Sequence, residues 1–406
     1  MKLYPHQEVS KQFLLERGRA ILADEPRCGK TLPAACAALE HLPALIVCPA
    51  IVKSVWAEAF AAIDPSIPVR IVNGKKDASS VGGNGVVIIN YDLLGSIKML
   101  GKFNTLILDE SHRIKSNTAI RTKAAMKLMA RIPRVYALSG TPVPNRPIEL
   151  YPLLRGLGIY RGDYYDFAVR YAKMWKAPWG MDVSGASNIP ELRELIKPHT
   201  LRRLRSDVFT DYQEPVVSLV TFDLPVDQRE KEFDADALID HPNPMLAFDG
   251  LAMVMKEAGM RKVKSAAEFI ADKAKDEKIV VFAHHKDVVY ALKEQLIEFN
   301  PVTITGETPN GIRSEILNHF QFGDSGVFIG NLSACSEGID LSVADTVVFV
   351  ECTWQTSALE QASARVENLK KNGKAPLIYL LTIANSLDHT ILKKILKKQN
   401  IINQII

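Results

Sequence analysis

The chain has few cysteines, no long apolar run, no internal repeat and no strong imbalance of charge. Its five cysteines, Cys28, Cys36, Cys48, Cys335 and Cys352, form no C-x-x-C pair and are odd in number. Neither a zinc cluster nor a disulfide framework is indicated. No stretch approaches the roughly 18 uninterrupted apolar residues of a membrane helix, so no membrane partner is expected. The start, MKLYPHQEVSKQFLLERG, has no apolar h-region and no small-residue cleavage site. Nothing in it directs export, and a cytoplasmic or nucleoid location is expected. A net charge of +4 does not by itself argue for nucleic acid, so any basic surface must be local. What remains is a globular composition, 47% hydrophobic and 24% charged, over 406 residues. At roughly 150 residues per domain, that length suggests two or three domains.

The stretch Ala23 to Thr31, ADEPRCGKT, follows the apolar Ala20-Ile21-Leu22 and precedes an alanine-rich helical run. Strand, loop and helix in that order are the setting of a phosphate loop. Backbone N–H groups at a helix start are unpaired and carry the positive end of the dipole, and Gly29 lets them close on a phosphate. Asp24, Glu25, Pro26, Arg27 and Cys28 form the rest of the cradle. Lys30 supplies a point charge for terminal phosphates, and Thr31 a hydroxyl for Mg²⁺. The pattern is imperfect, because Asp24 holds the position of the first glycine. Taken alone, the loop fits a ligand-free Gly-Lys-Thr helix start equally well.

The rest of the chain adds five stretches in order. Gln7, just ahead of the loop, has an amide that matches the N6 and N7 edge of adenine, or it is a solvated surface residue. Ala44 to Ala50 and Gly85 to Leu94 read as buried strands whose ends, at Pro49 and Ala50 and at Asn90 and Tyr91, either cradle a nucleic-acid phosphate or simply connect. Thr105 to Ser111, TLILDES, delivers paired acids at a strand end. There Asp109 can hold Mg²⁺ and Glu110 can orient and deprotonate water. Arg134 to Asn145 leads into Ser139-Gly140-Thr141-Pro142, small residues suited to sensing a γ-phosphate, or a plain turn.

From Glu149 to about residue 210 the strand rhythm gives way to a helical, aromatic and basic insertion. Its cluster Arg202, Arg203 and Arg205 either follows a phosphate backbone or packs against the first lobe. Val216 to Leu224 is expected to close that lobe, with Pro225 marking the passage to a second strand-and-helix series. The adjacent His284 and His285 lack metal-ligand spacing and read as structural. Ser336 and Gly338 lie in a loop that can face nucleotide or nucleic acid. Arg365 sits on a helix from which it can stabilise transition-state charge.

Together, LYPHQ, ADEPRCGKT, DESH, LSGTPVPN, LRRLRSDV and SACSEGIDLSVADTVVFVE followed by QASAR resemble the superfamily two helicases, and within them the Swi/Snf family of DNA translocases. The region WGMDVSGASNIPELRELI is similar to the small annealing-helicase, HepA-related branch. The resemblance implies an α/β fold of two RecA-like parallel-sheet lobes, residues 1–225 with a helical insertion at about 149–210, and residues 226–406. It also implies a DNA-dependent ATPase using ATP and Mg²⁺ on double-stranded or forked DNA, in repair, fork remodelling or annealing, alongside replication or recombination proteins. Two departures stand out: Arg27 replaces a usual glycine, and Asn368 replaces the second arginine of the sixth motif. Motifs filling nearly the whole chain suggest a minimal engine of the kind compact viral genomes encode, acting in the nucleoid or host-cell cytoplasm.

Overall fold

Apolar runs of four or five residues dictate strands covered on both faces, and the computed structural model shows them so. It describes residues 2–99, 101–140, 146–178, 180–210, 212–225, 244–335, 339–351, 366, 375–386, 388–390 and 392. Cα packing divides the chain into two units, with the change at Val208 and Phe209.

The first unit opens with α1 (Pro5–Arg17) and β1 (Arg19–Leu22), followed by α2 (Thr31–Leu39) and β2 (Ala44–Cys48). Strands β3 (Val69–Ile71), β4 (Val86–Asn90), β5 (Thr105–Asp109), β6 (Arg134–Leu138) and β7 (Thr200–Leu201) complete its sheet. The order is β3-β4-β2-β5-β6-β1-β7, and every pairing is parallel. Alternation along a strand sends neighbours to opposite faces. Leu45 and Val47 join one core cluster, while Ala44, Ile46 and Cys48 join another. The second face is covered by the alanines of α2, whose small side chains let the helix lie close. The first face receives Tyr151, Phe167 and Tyr171 from the insertion, whose rings meet edge-on or tilted at 4.8 to 5.6 Å. These aromatics are core, which removes them as a stacking platform for bases. The insertion is largely helical as expected, but Trp175–Ala177 and Gly180–Asp182 form a two-stranded sheet of their own, and at its end Thr200 and Leu201 extend the large sheet beside β1.

The second unit carries β8 (Val216–Phe222), the long helix α3 (Pro244–Ala274), β9 (Ile279–Ala283), β10 (Val302–Ile304), β11 (Val327–Asn331), β12 (Thr346–Phe349) and β13 (Leu377–Ile383). Its sheet, also wholly parallel, runs β8-β13-β12-β9-β11-β10. Here the sequence expectation is corrected. Val216–Phe222 does not close the first lobe; it pairs along its length with Leu377–Ile383. Its neighbour in space is supplied from about 160 positions later, which no local pattern can reveal.

Candidate active site

In the first sheet β5, β6 and β1 are adjacent, so the loops leaving their carboxyl ends emerge side by side, the usual ligand position of such sheets. Those loops are DESH, SGTP and the phosphate loop. Close approach is visible directly: a Cβ on Gly140 would lie 2.9 Å from Cγ of Pro26.

The phosphate loop leaves β1 and enters α2 at Thr31. Two of its residues take left-handed backbone, Gly29 at φ 74° and Arg27 at φ 68°. For an arginine that conformation costs on the order of 1 kcal/mol. Lys30 Nζ donates to the carbonyls of Asp24 (2.7 Å) and Glu25 (3.0 Å), so the ammonium curls over the loop. Desolvation pulls the Lys30 pKa down, against the fields of Glu110, Cys28, Asp24 and Asp109. Burial pushes the Cys28 thiol up to about 11, which keeps it protonated and unreactive.

The paired acids end β5. Asp109 accepts from the Trp56 indole N–H at 2.8 Å and from the Glu110 backbone N–H at 3.0 Å. The Tyr91 hydroxyl donates to the Asp109 carbonyl at 2.7 Å. Desolvation, and then the charge of Glu110, push the Asp109 carboxyl up to about 7, with Trp56 and Lys30 opposing. Glu110 has left-handed backbone at φ 50°, a strain of the kind that clusters at active sites. His112 Nδ1 stands 3.3 Å from Glu110 Oε2 and 3.1 Å from Ser139 Oγ, linking DESH to the SGTP loop. The donor set suits Mg²⁺, since Thr31 and Asp109 offer hard oxygens and a divalent cation relieves two mutually repelling carboxylates.

Other expected residues are placed differently. Gln7 is buried, and its amide accepts from Tyr4 N (3.0 Å) and donates to Gly29 O (3.1 Å). In this structure it braces the loop. Tyr91 is 1% exposed and Asn90 8% exposed, so both offer little surface to a nucleic acid, and the Tyr91 hydroxyl holds the carbonyl of Asp109. Pro49 is buried and Ala50 exposed at the end of β2. Arg203 forms an ion pair with Asp24, Arg205 with Glu25, and Arg202 donates to Ala23 O at 3.3 Å. Of the two readings of that cluster, packing on the first lobe is the one observed. Thr141, Ser336, Gly338, Arg365 and Asn368 lie outside the described residues. Sequence reasoning missed Trp56 and His112. Trp56 meets Asp109 across 53 positions and gives no local signal; His112, two residues past Glu110, was legible as part of the box.

The sequence matches two known family models. The SNF2-related domain matches residues 6–233 and the helicase conserved C-terminal domain residues 261–370. The chain belongs to the SNF2-related family. It is 32% identical to the SWI/SNF-related matrix-associated actin-dependent regulator of chromatin subfamily A-like protein 1 of Xenopus laevis, over 95% of this chain and 42% of that protein. With the DNA annealing helicase and endonuclease ZRANB3 of Mus musculus it shares 31% identity over 94% of this chain and 38% of that protein. A Caenorhabditis elegans homolog of the former is 30% identical over 100% of this chain and 62% of its own length. The chain thus spans less than two thirds of each of these relatives.

Proposed function

We propose that the chain is an ATP-dependent DNA translocase, coupling ATP hydrolysis to movement on double-stranded or forked DNA in repair, fork remodelling or strand annealing. The observation that carries the reading is the placing of Lys30 after β1 and of Asp109 and Glu110 at the end of β5, the two strands that flank β6, where burial, and then the charge of Glu110, push the Asp109 carboxyl up to about 7. Displaced carboxyls of this kind cluster at functional sites. In this reading Lys30 meets the terminal phosphates, and Thr31 and Asp109 hold Mg²⁺, which supplies charge neutralisation. Glu110 takes the proton of the attacking water, and Arg365 stabilises transition-state charge. Family membership, with relatives named as a DNA annealing helicase and a chromatin regulator, supports DNA as the track; replication or recombination proteins are the proposed company.

The test is steady-state ATP hydrolysis without nucleic acid and with duplex, forked DNA, single strands or RNA. Strong stimulation by duplex or fork is expected. Stimulation only by single strands or RNA would favour a strand-separating helicase. Nucleotide-dependent DNA binding without turnover would favour an ATP-gated clamp.

A further inference from the structure

The strand that ends the helical insertion runs on as Leu201-Arg202-Arg203-Leu204-Arg205 beside the start of the phosphate loop. Backbone bonds join Ala23 N to Leu201 O (2.7 Å) and Glu25 N to Arg203 O (3.1 Å). Along that track the guanidinium of Arg203 forks onto Asp24, with Nε on Oδ1 at 3.1 Å and Nη2 on Oδ2. The same group donates to the carbonyl of His6 and to Ser10 Oγ, both on α1. Arg205 holds Glu25 through its backbone N–H (2.9 Å) and its Nε (3.1 Å). Asp24 is 1% exposed, and its carbonyl accepts from Lys30. One arginine therefore joins the helix carrying Gln7, the loop carrying Lys30, and the chain leaving the insertion.

We propose that Arg203 is a positioning residue for nucleotide binding, holding Asp24 and α1 so that the phosphate loop is set in its receptive shape. The proposal rests on the ATPase reading above. Its energetic basis is the planar fork: Arg203 makes four bonds from three nitrogens, whereas a lysine keeps the charge but has three donors on one nitrogen and cannot reproduce the bidentate grip on Asp24. It also couples the insertion's exit to the loop: by linkage, the factor by which ordering of Thr200 to Arg205 raises nucleotide affinity is the factor by which nucleotide favours that ordering.

The experiment is ATPase kinetics and binding of a fluorescent ATP analogue with the full chain, Arg203→Lys, Asp24→Asn, their double variant and Ser10→Ala. Loss of charge-assisted bonds predicts a KM and analogue Kd raised about 10- to 100-fold in Arg203→Lys, with kcat within about 3-fold. Ser10→Ala, which removes one bond, should raise KM about 3-fold. The double variant should be no worse than the worse single one, because both break one interaction. Hydrogen exchange of residues 201–205 should slow on adding ADP to the unaltered chain and not in Arg203→Lys. An unchanged KM in Arg203→Lys, or multiplying effects in the double variant, overturns the proposal while normal turnover of the unaltered chain leaves the ATPase reading standing. No binding or hydrolysis by the unaltered chain overturns both. If Arg203→Lys does not fold, Ser10→Ala and Asp24→Asn decide: KM at the unaltered value in both overturns the proposal.

Discussion

Each unit buries charge, but in opposite ways. In the first, Lys30 is desolvated and the Asp109 carboxyl is driven up beside Glu110, so the site holds its charges under tension. In the second, Lys262 on α3 donates to Asp388 at 2.7 Å and to the Leu381 carbonyl at 3.1 Å, with both side chains almost fully buried. Glu351 accepts from the backbone N–H groups of His284 and His285 at 2.9 Å each and contacts His285 Nδ1 at 2.7 Å. The paired histidines of the sequence thus serve structure, as expected. Gly259 makes room for this carboxylate, because a Cβ there would collide with Glu351 Oε1. A fold tolerates buried charge cheaply only when every lone pair and proton has a partner. Where it instead keeps like charges together, the arrangement suits something that arrives from outside, which in the proposed function is a cation and phosphates.

The comparison can be broken by removing charges from each side. The largest effect should come from Lys30→Ala and Glu110→Gln, each lowering ATP turnover by at least about 10³-fold, with Glu110→Gln still binding nucleotide. Steady-state hydrolysis and analogue binding check this, and near-normal turnover in both would remove the site assignment. Next, Lys262→Ala should cost about 3 to 5 kcal/mol of stability by stranding Asp388 in the interior. Urea unfolding measures it, and a loss under about 1 kcal/mol would show that the second unit's pair is not the tight one the geometry implies.

Asp109→Asn should do the reverse and stabilise. Below about pH 4 the Asp109 carboxyl is protonated in both folded and unfolded chains and contributes nothing. As pH rises from about 4 to about 7 the unfolded chain ionises first, so stability is lost, and the deficit is constant above that range. Asp109→Asn should therefore gain stability at pH 8 that it does not gain at pH 3, where the carboxyl is neutral in both states. Equal urea midpoints at pH 8 would contradict the displaced carboxyl. Smallest, Arg27→Gly trades relief of left-handed strain against a more flexible unfolded chain, for a net change within about 1 kcal/mol. A larger loss in thermal unfolding would show that contacts of the arginine side chain outweigh its backbone strain.

Much of the site was legible because its parts are short and local. A strand, a glycine and a lysine before a helix, or two acids at a strand end, are read within ten residues, and both stood where expected. The braces were not legible. Trp56 reaches Asp109 over 53 positions and Arg203 reaches Asp24 over 179. A basic triplet reads the same in sequence whether it faces DNA or folds back on a loop, and only the packing of β7 on β1 turned Arg203 inward. The burial of Tyr91 and Asn90 was hidden for a related reason, since a strand end is exposed or buried according to what is laid over it.

The sequence by itself determined the phosphate loop, the acid pair, the parallel α/β character and the presence of two strand series, because periodicity and turn chemistry are local properties of the chain. Only the tertiary structure decided which sheet receives Val216–Phe222, which residue orients Asp109, and that Arg202, Arg203 and Arg205 hold the loop. The physical reason is the same in each case. Backbone pairing and charge neutralisation choose partners by proximity in space, and that proximity exists only once the distant parts of the chain have packed.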